Sequence, residues 1–207
     1  MRKIMFFCVL MLLNCGKSRA QNQYNIEDES FDAENQEFLT AHNIRRKKFH
    51  EDYGVSYVPL KFSSGLKQQS IRWANYLAPK LCNEGVPIYH DPNNRYGENI
   101  AANWGSGVWA NRPTPESILY RFVDRELNQP QKGHLTQALW RPSQYVGCAI
   151  AKATSGNKTC HVTVCRYAKP GNCNMGKFKT WQEATFQNDS PCGPVCPPEG
   201  CHLTEDE

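Results

Sequence analysis

The segment GHLTQALW at residues 133–140, continued by RPSQYVGCAIA to residue 151, places a histidine directly before an apolar run. Residues 145–151 of that run have the composition of a buried strand. A second histidine, His90, opens the polar stretch HDPNNRYGENIA at residues 90–101. The sequence therefore raises the question of whether His134 and His90 share one site or lie separately at the edges of a core.

Four side chains have the chemistry for a shared site: His90, Glu98, Glu126 and His134. Imidazole nitrogen and carboxylate oxygen together suit a zinc-like divalent ion, and the same groups can pass protons or polarise a bound water. The two histidine–glutamate pairs each span eight residues, which matches no helical metal motif. Chemistry alone therefore leaves four unrelated surface residues as the alternative.

The first twenty residues predict a cleaved signal peptide. Arg2 and Lys3 precede a short apolar run, and small residues lead to a cut after Ala20. About ten apolar residues are too few to cross a bilayer roughly 30 Å thick, and we expect no membrane span in the mature chain. The leader holds 4 of the 24 basic residues, so the mature chain has 24 − 4 = 20 basic against 20 acidic residues. This balance argues against nucleic acid or an anionic membrane as a partner.

Cysteine usage agrees with export. Two of the ten cysteines, Cys8 and Cys15, lie in the leader, which leaves eight for the mature chain. An even number in an exported protein favours disulfides, although eight cysteines allow 105 pairings. A metal knuckle at Cys192 and Cys196 is the alternative, but the flanking prolines and the absence of a second such motif favour a bridged tail.

The pattern along the chain predicts one domain with an arm and a tail. We expect a flexible arm at residues 21–35, a domain at 36–178 and a Pro/Cys-rich tail at 179–207. Helical periodicity precedes two strand-like segments, without β-α-β alternation, which favours the α+β class. The acceptor sequence Asn157-Lys-Thr159 falls in the turn between those strands, where a glycan is tolerated.

Four stretches resemble the CAP superfamily, which includes cysteine-rich secretory proteins, antigen 5 and pathogenesis-related proteins. In family order they are FLTAHNIR at 38–45, GENIA at 97–101, GHLTQALW at 133–140 with VGC at 146–148, and VTVCRY at 162–167 with PGN at 170–172. The resemblance implies a three-layer α-β-α sandwich with a cleft.

The resemblance also implies a cleft tetrad of two histidines and two glutamates. His90, Glu98 and His134 match three members. The family usually has Trp-Tyr-x-Glu on the preceding helix, whereas RFVDRE at 121–126 places Glu126 one residue late. One residue rotates a helical side chain by about 100°. We assign Glu126 because it lies on the matching helix, with Glu116 as the more distant alternative.

The family's members act as defence proteins, venom components, sterol or lipid carriers and signalling ligands, so the fold does not fix the function. No nucleophile is tied to the tetrad in this sequence, which favours a secreted binding protein over an enzyme. We expect the tetrad to hold a divalent metal such as zinc. We also expect a sterol or lipid groove near Trp104 and Trp109, unless these tryptophans are simply packed against the core.

Two other functions stay open. In a zinc-dependent extracellular hydrolase or peptidase, Glu98 would act as the base for a metal-bound water. In a structural or defence protein, the surface and the cysteine-rich tail would bind an extracellular protein or a cell-surface partner while the cleft stays inert.

Overall fold

A four-stranded sheet in the order β1-β3-β4-β2 lies at the centre of the fold. Its strands are β1 (Lys61–Phe62), β2 (Gly97–Gly105), β3 (Tyr145–Ser155) and β4 (Lys158–Ala168). β1 runs parallel to β3, and the other neighbours are antiparallel. The strand-like segments predicted from the sequence are all present, and β3 and β4 extend to a hairpin turn at residues 156–157.

Alternation along β4 builds the two faces of the sheet, because successive side chains point to opposite sides. Val162 and Val164 pack into one core cluster with Leu77 and other residues of helix α2 (Ser64–Pro79). Tyr167 lies on the other face, in a cluster that includes Phe38 of helix α1.

The helices complete the three layers that the resemblance implied. They are α1 (Arg19–Asp52), α2, α3 (Pro115–Leu119), α4 (Gly133–Leu139) and α5 (Trp181–Phe186). α2 covers one face of the sheet, and residues of α1, α3, α4 and α5 share the core on the other face. The α+β class and the three-layer sandwich are thus confirmed.

This computed structural model describes residues 19–189, 192–197 and 201, and it divides into a unit that ends at Ala33 and a unit that begins at Glu34. Nearly all of the predicted signal peptide therefore lies outside the described residues. α1 already begins at Arg19, so helix occupies residues 21–35, where the sequence predicted a flexible arm. The stretch from Arg19 to Asp52 contains no proline or glycine, and nothing in it interrupts the i to i−4 hydrogen bonds.

Four disulfides cross-link the described part of the second unit. The bridges are Cys82–Cys160, Cys148–Cys165, Cys173–Cys192 and Cys196–Cys201. Cys192 and Cys196 belong to different bridges, so they form no metal knuckle. None of the helices in the described ranges combines the length and apolar character that a bilayer crossing requires.

Candidate functional site: two histidine–glutamate pairs

The first pair joins a loop histidine to a buried glutamate near the start of β2. His90 Nδ1 lies 2.8 Å from Glu98 Oε1, and the backbone N–H of Asp91 donates to the same oxygen over 3.2 Å. The His90 side chain is 69% exposed, whereas that of Glu98 is 3% exposed. The hydrogen bond to Glu98 raises the pKa of His90, although partial burial acts in the opposite direction.

Arg166, a buried cation of β4, holds the other oxygen of Glu98. Its Nε and Nη2 donate to Glu98 Oε2 over 3.2 and 3.1 Å. Nη2 also donates to Asp91 over 2.6 Å, and Nη1 donates to Gln69 of α2 over 3.0 Å. Sequence reasoning missed Arg166, although a signal was present: the alternation of β4 places it on the same face as Val164. A buried arginine on that face requires acceptors.

The second pair is built at the N-terminus of α4. Glu126 Oε2 accepts the backbone N–H groups of His134 and Leu135 over 3.1 and 3.0 Å, and Glu126 Oε1 is hydrogen-bonded to His134 Nδ1. The Phe122 ring stacks on the imidazole with a centroid distance of 5.1 Å. Burial alone would raise the pKa of Glu126, but the hydrogen bonds from His134 and Leu135 outweigh it and lower that pKa. The carboxylate therefore stays ionised and orients the imidazole.

A π-helical turn brings Glu126 to this position. α3 continues into the π turn Tyr120–Asp124, in which the N–H of Arg125 donates to the Tyr120 carbonyl over 2.9 Å. A π turn closes i to i−5 hydrogen bonds and so takes up one more residue than an α-helical turn. It therefore absorbs the one-residue offset of Glu126 from the family pattern. The other candidate, Glu116, is bound to Arg45 over 3.0 Å.

β2 and α4 touch between the two pairs. Asn99 donates from its side-chain amide to the His134 carbonyl over 3.0 Å, and a Cβ on Gly97 would lie 2.1 Å from Gln137 Oε1. Glycine at position 97 permits this close approach. Among the described residues, however, no three His, Cys, Asp or Glu side chains form a group able to hold a metal. The four predicted site residues thus form two pairs, with each glutamate bound to its own histidine.

Each glutamate uses one oxygen to bind an imidazole, and its other oxygen accepts from Arg166 or from backbone N–H groups. Each histidine uses Nδ1 for its glutamate, and within the described chain neither His90 nor His134 has a hydrogen bond at Nε2. A carboxylate on one ring nitrogen that leaves the other free is the usual arrangement around a metal-binding histidine. The site can therefore offer two oriented imidazole nitrogens rather than four ligands.

Trp104 does not pack against the core as the simpler interpretation required, because it is 60% exposed on β2. The side chain of Trp109 lies outside the described part of the structure. An apolar groove is found elsewhere, with a volume of about 640 Å³. It is lined by Ile44, Arg45, Lys48, Phe49, Asp52, Glu116, Asp124 and Leu127.

Comparisons with known proteins agree with this architecture. The family described as "CAP: Cysteine-rich secretory protein family" matches residues 39–167. Pathogenesis-related protein 1B of Nicotiana tabacum is 30% identical, over 79% of this chain and 85% of its own length. Cysteine-rich secretory protein 2 of Homo sapiens is 25% identical, over 78% of this chain and 64% of its own length. The crystal structure of MpPR-1i shares the fold with a TM-score of 0.50 and 18% identity, covering 69% of this chain and 92% of that one.

Proposed function

This chain belongs to the CAP family of cysteine-rich secretory proteins, and from that premise we propose that it is a secreted, non-enzymatic binding protein of the defence type. Its cleft histidines would hold a divalent cation, and its apolar groove would take a lipid or sterol. The observation that carries the proposal is the way the two carboxylates are used. Each one orients an imidazole through one oxygen, and its other oxygen is occupied by Arg166 or by backbone N–H groups, which suits binding better than proton transfer.

A divalent ion would be held by the Nε2 atoms of His90 and His134. Glu98 and Glu126 would act as partners that fix the imidazoles, because their oxygens already accept N–H groups. Such an ion supplies a Lewis acid and a fixed positive charge when it is bound. A cleft of this kind can bind an anionic group of a ligand without a reaction.

Calorimetric titration with zinc at neutral pH tests the metal proposal. We expect binding in the wild type and none in the double variant His90→Gln, His134→Gln. Glu126→Gln should weaken zinc binding by about 10- to 100-fold, because it removes the partner that orients His134. Glu116→Gln is the matched control and should leave the affinity unchanged. Equal losses in Glu116→Gln and Glu126→Gln would contradict the assignment.

The hydrolase alternative requires Glu98 as a free base. Its two oxygens accept hydrogen bonds from His90, Asp91 and Arg166, and its side chain is 3% exposed. A base must be within hydrogen-bond reach of the proton that it abstracts. We therefore expect no zinc-dependent ester or peptide hydrolysis. Zinc-dependent turnover that disappears in the double histidine variant would establish the hydrolase instead.

The groove beside α1 is the better candidate for an apolar ligand. Its volume of about 640 Å³ falls in the range of small-molecule sites, and Ile44 and Leu127 line it at 63% and 40% exposure. A fluorescent sterol or fatty acid should bind the wild type and the variant Trp104→Ala equally. Ile44→Glu should abolish that binding, because it places a charge against the ligand. Loss in Trp104→Ala alone would move the ligand to β2.

Secretion makes two further predictions about the mature chain. N-terminal sequencing should find a cut after Ala20, and Asn157 should carry a glycan when the protein passes through a secretory pathway. Asn157 is exposed in the β3–β4 turn, beside Gly156 with φ of 56°. Asn157→Gln should remove the mass shift released by a glycosidase. Asn188→Gln should leave it, because Asn188 is 1% exposed.

A further inference from the structure

A row of polar side chains crosses the sheet at the end opposite the cleft. Lys152 of β3 pairs in register with His161 of β4, and His161 pairs with Asn103 of β2. By alternation all three share the face of Tyr167 and Ala101, which α1 and α3 cover farther along the strands. Residues opposite each other in an antiparallel pair have Cβ atoms about 5 Å apart, so the three side chains adjoin.

Two arginines form hydrogen bonds with residues in or beside this row. Arg112 donates from Nη1 to the carbonyl of Ile150 on β3 over 3.2 Å. Arg121 donates from Nη1 to Asn103 Oδ1 over 2.6 Å. Arg112 and Lys152 place two cations near His161, and Arg121 reaches the row through Asn103. We call Asn103, Arg112, Arg121, Lys152 and His161 the sheet-end site.

His161 is a buried polar residue without a hydrogen-bond partner in the described part of the chain. It is 3% exposed, yet its ring has no hydrogen bond to any residue in the described part of the chain. Some unpartnered side-chain atoms of the described residues are completely closed off from solvent, but the ring nitrogens of His161 are not among them. These nitrogens therefore retain contact with solvent. Buried polar groups in native proteins nearly always have a partner.

Among the described residues, the side chains around His161 are mainly hydrogen-bond donors. Lysine and arginine only donate hydrogen bonds, and Asn103 Oδ1 already accepts from Arg121. Glu34 is the acid found here, and its Oε1 accepts from Nε and Nη2 of Arg112. Arg112 is thus paired with Glu34, whereas Lys152 and the His161 ring have no carboxylate partner among the described residues. A group with several acceptor oxygens would supply one to each of them.

We propose that the sheet-end site binds a sulfate or phosphate group, held by Lys152, Arg112 and His161. Charge-assisted hydrogen bonds to such oxyanions are about twice as strong as neutral ones. Burial lowers the pKa of His161, and Arg112 and Lys152 lower it further. A bound anion reverses that effect by giving the imidazolium a partner, so binding is linked to proton uptake on His161.

The test follows the His161 ring by NMR in the full disulfide-bonded chain. Titrations are run in sodium sulfate and in sodium chloride at equal ionic strength, which separates specific binding from screening. Sulfate should raise the pKa of His161 by about one unit relative to chloride. Identical His161 titrations in the two salts would overturn the proposal.

Variants of Lys152 and His161 test whether sulfate binds at the sheet-end site. Lys152→Gln should weaken sulfate binding about ten-fold, because it removes one charged hydrogen bond. The matched control is Lys177→Gln, an exposed lysine beyond the opposite end of β4. Equal sulfate affinities of the two variants would overturn the proposal. His161→Gln should remove the pH dependence of sulfate binding between pH 5 and 8.

The source of the anionic group is decided by three probes: inorganic phosphate, inorganic sulfate and a heparin-derived sulfated tetrasaccharide. Tighter binding of the tetrasaccharide than of either ion identifies the group as part of a sulfated glycan. Equal or weaker binding of the tetrasaccharide identifies a free ion. Failure of all three probes at millimolar concentration would eliminate the site, and it would leave the proposals for the cleft and the groove untouched.

Discussion

The histidines of α1 and those of the cleft have opposite environments. On α1, His42 donates from Nδ1 to the Phe38 carbonyl over 2.7 Å and accepts from the Tyr167 hydroxyl at Nε2 over 2.9 Å. In the cleft, His90 and His134 each bind a carboxylate through Nδ1. An imidazole with one donor and one acceptor satisfied by neutral groups has no place for a second proton, whereas the carboxylate of Glu98 favours the charged form of His90.

The protonation states follow from these partners. Burial lowers the pKa of His42 to about 3 and that of His50 to about 4, and the charge of Arg46 contributes to both. The pKa of His90 is raised by its hydrogen bond to Glu98. A histidine with neutral partners in the core therefore stays neutral, whereas His90, which is held by a carboxylate at the surface, takes up a proton more readily.

The largest expected effect tests whether the polar groups of α1 are structural. Arg46 is 0% exposed and has no carboxylate partner among the described residues. Arg46→Met should lower the free energy of unfolding by about 3–5 kcal/mol, because it leaves buried carbonyls without a donor. Urea unfolding at pH 7 measures it. The carbonyls belong to Val58, Ala138, Trp140, Arg141 and Ser143.

The adjacent arginine is the matched control. Arg45 is bound to Glu116 and Asp124, whose side chains are 68% and 35% exposed. Water can replace the arginine at these carboxylates, so Arg45→Met should cost only about 1 kcal/mol. Equal losses in the two variants would show that burial does not distinguish the two positions.

The next effect is the pH dependence of stability. Between pH 6.5 and about 4, unfolded His42 and His50 take up protons that the folded protein does not bind. The free energy of unfolding should therefore fall as the pH falls, by at most about 1.4 kcal/mol per pH unit for each histidine. Urea titrations from pH 7 to 4.5 measure the slope, and His42→Gln should make it shallower.

His90 should contribute with the opposite sign. Its raised pKa means that its stabilisation is present below pH 6.5 and is lost as the pH rises through the folded-state value. His90→Gln should therefore change the pH dependence near neutrality and leave the acid slope intact. If His90→Gln also abolished the fall in unfolding free energy below pH 6.5, that fall would not come from the histidines of α1.

A smaller effect concerns the partner of His90. Glu98→Gln removes the charge that holds the imidazolium, so the pKa of His90 should fall toward its usual value in an NMR titration. The free energy of unfolding should drop by about 1–2 kcal/mol, since Arg166 keeps its bond to Asp91. Glu84→Gln is the control, because Glu84 forms a surface ion pair of 4.0 Å with Lys80 and no other within the described part of the chain. An unchanged His90 pKa in Glu98→Gln would show that Glu98 does not control the protonation of His90.

The candidate site residues that the sequence named depend on local pattern. His90, Glu98 and His134 lie in signature segments, and the apolar run at 145–151 and the alternation at 160–167 predicted the two longest strands. Arg166 was missed because its contacts with Asp91 and Glu98 span 75 and 68 residues. No local pattern reports contacts that only the assembled sheet creates.

The disulfides and the second helix show the same limit. Cys148 and Cys165 become partners because the β3–β4 register sets them opposite each other, and that register could not be read from spacing alone. A proline such as Pro79 usually ends a helix, yet the chain continues as the π turn Lys80–Glu84 until Gly85, whose φ is 72°. A proline in the last turn loses one hydrogen bond, and the chain's helical path can continue when later residues bond differently.

The smallest expected effect tests the π turn that separates this chain from the family pattern. Deleting Arg125, an exposed residue, should convert the turn to ordinary α-helix and place the glutamate of position 126 in the register that the family uses. The free energy of unfolding should change by less than about 1 kcal/mol, and zinc affinity should persist. The matched control inserts an alanine after Arg125, which rotates Glu126 by about 100° away from His134. If the deletion weakens zinc binding as much as the insertion does, the π turn is not the device that positions Glu126, and the second pair depends on the 3₁₀ turn Glu126–Asn128 that follows it.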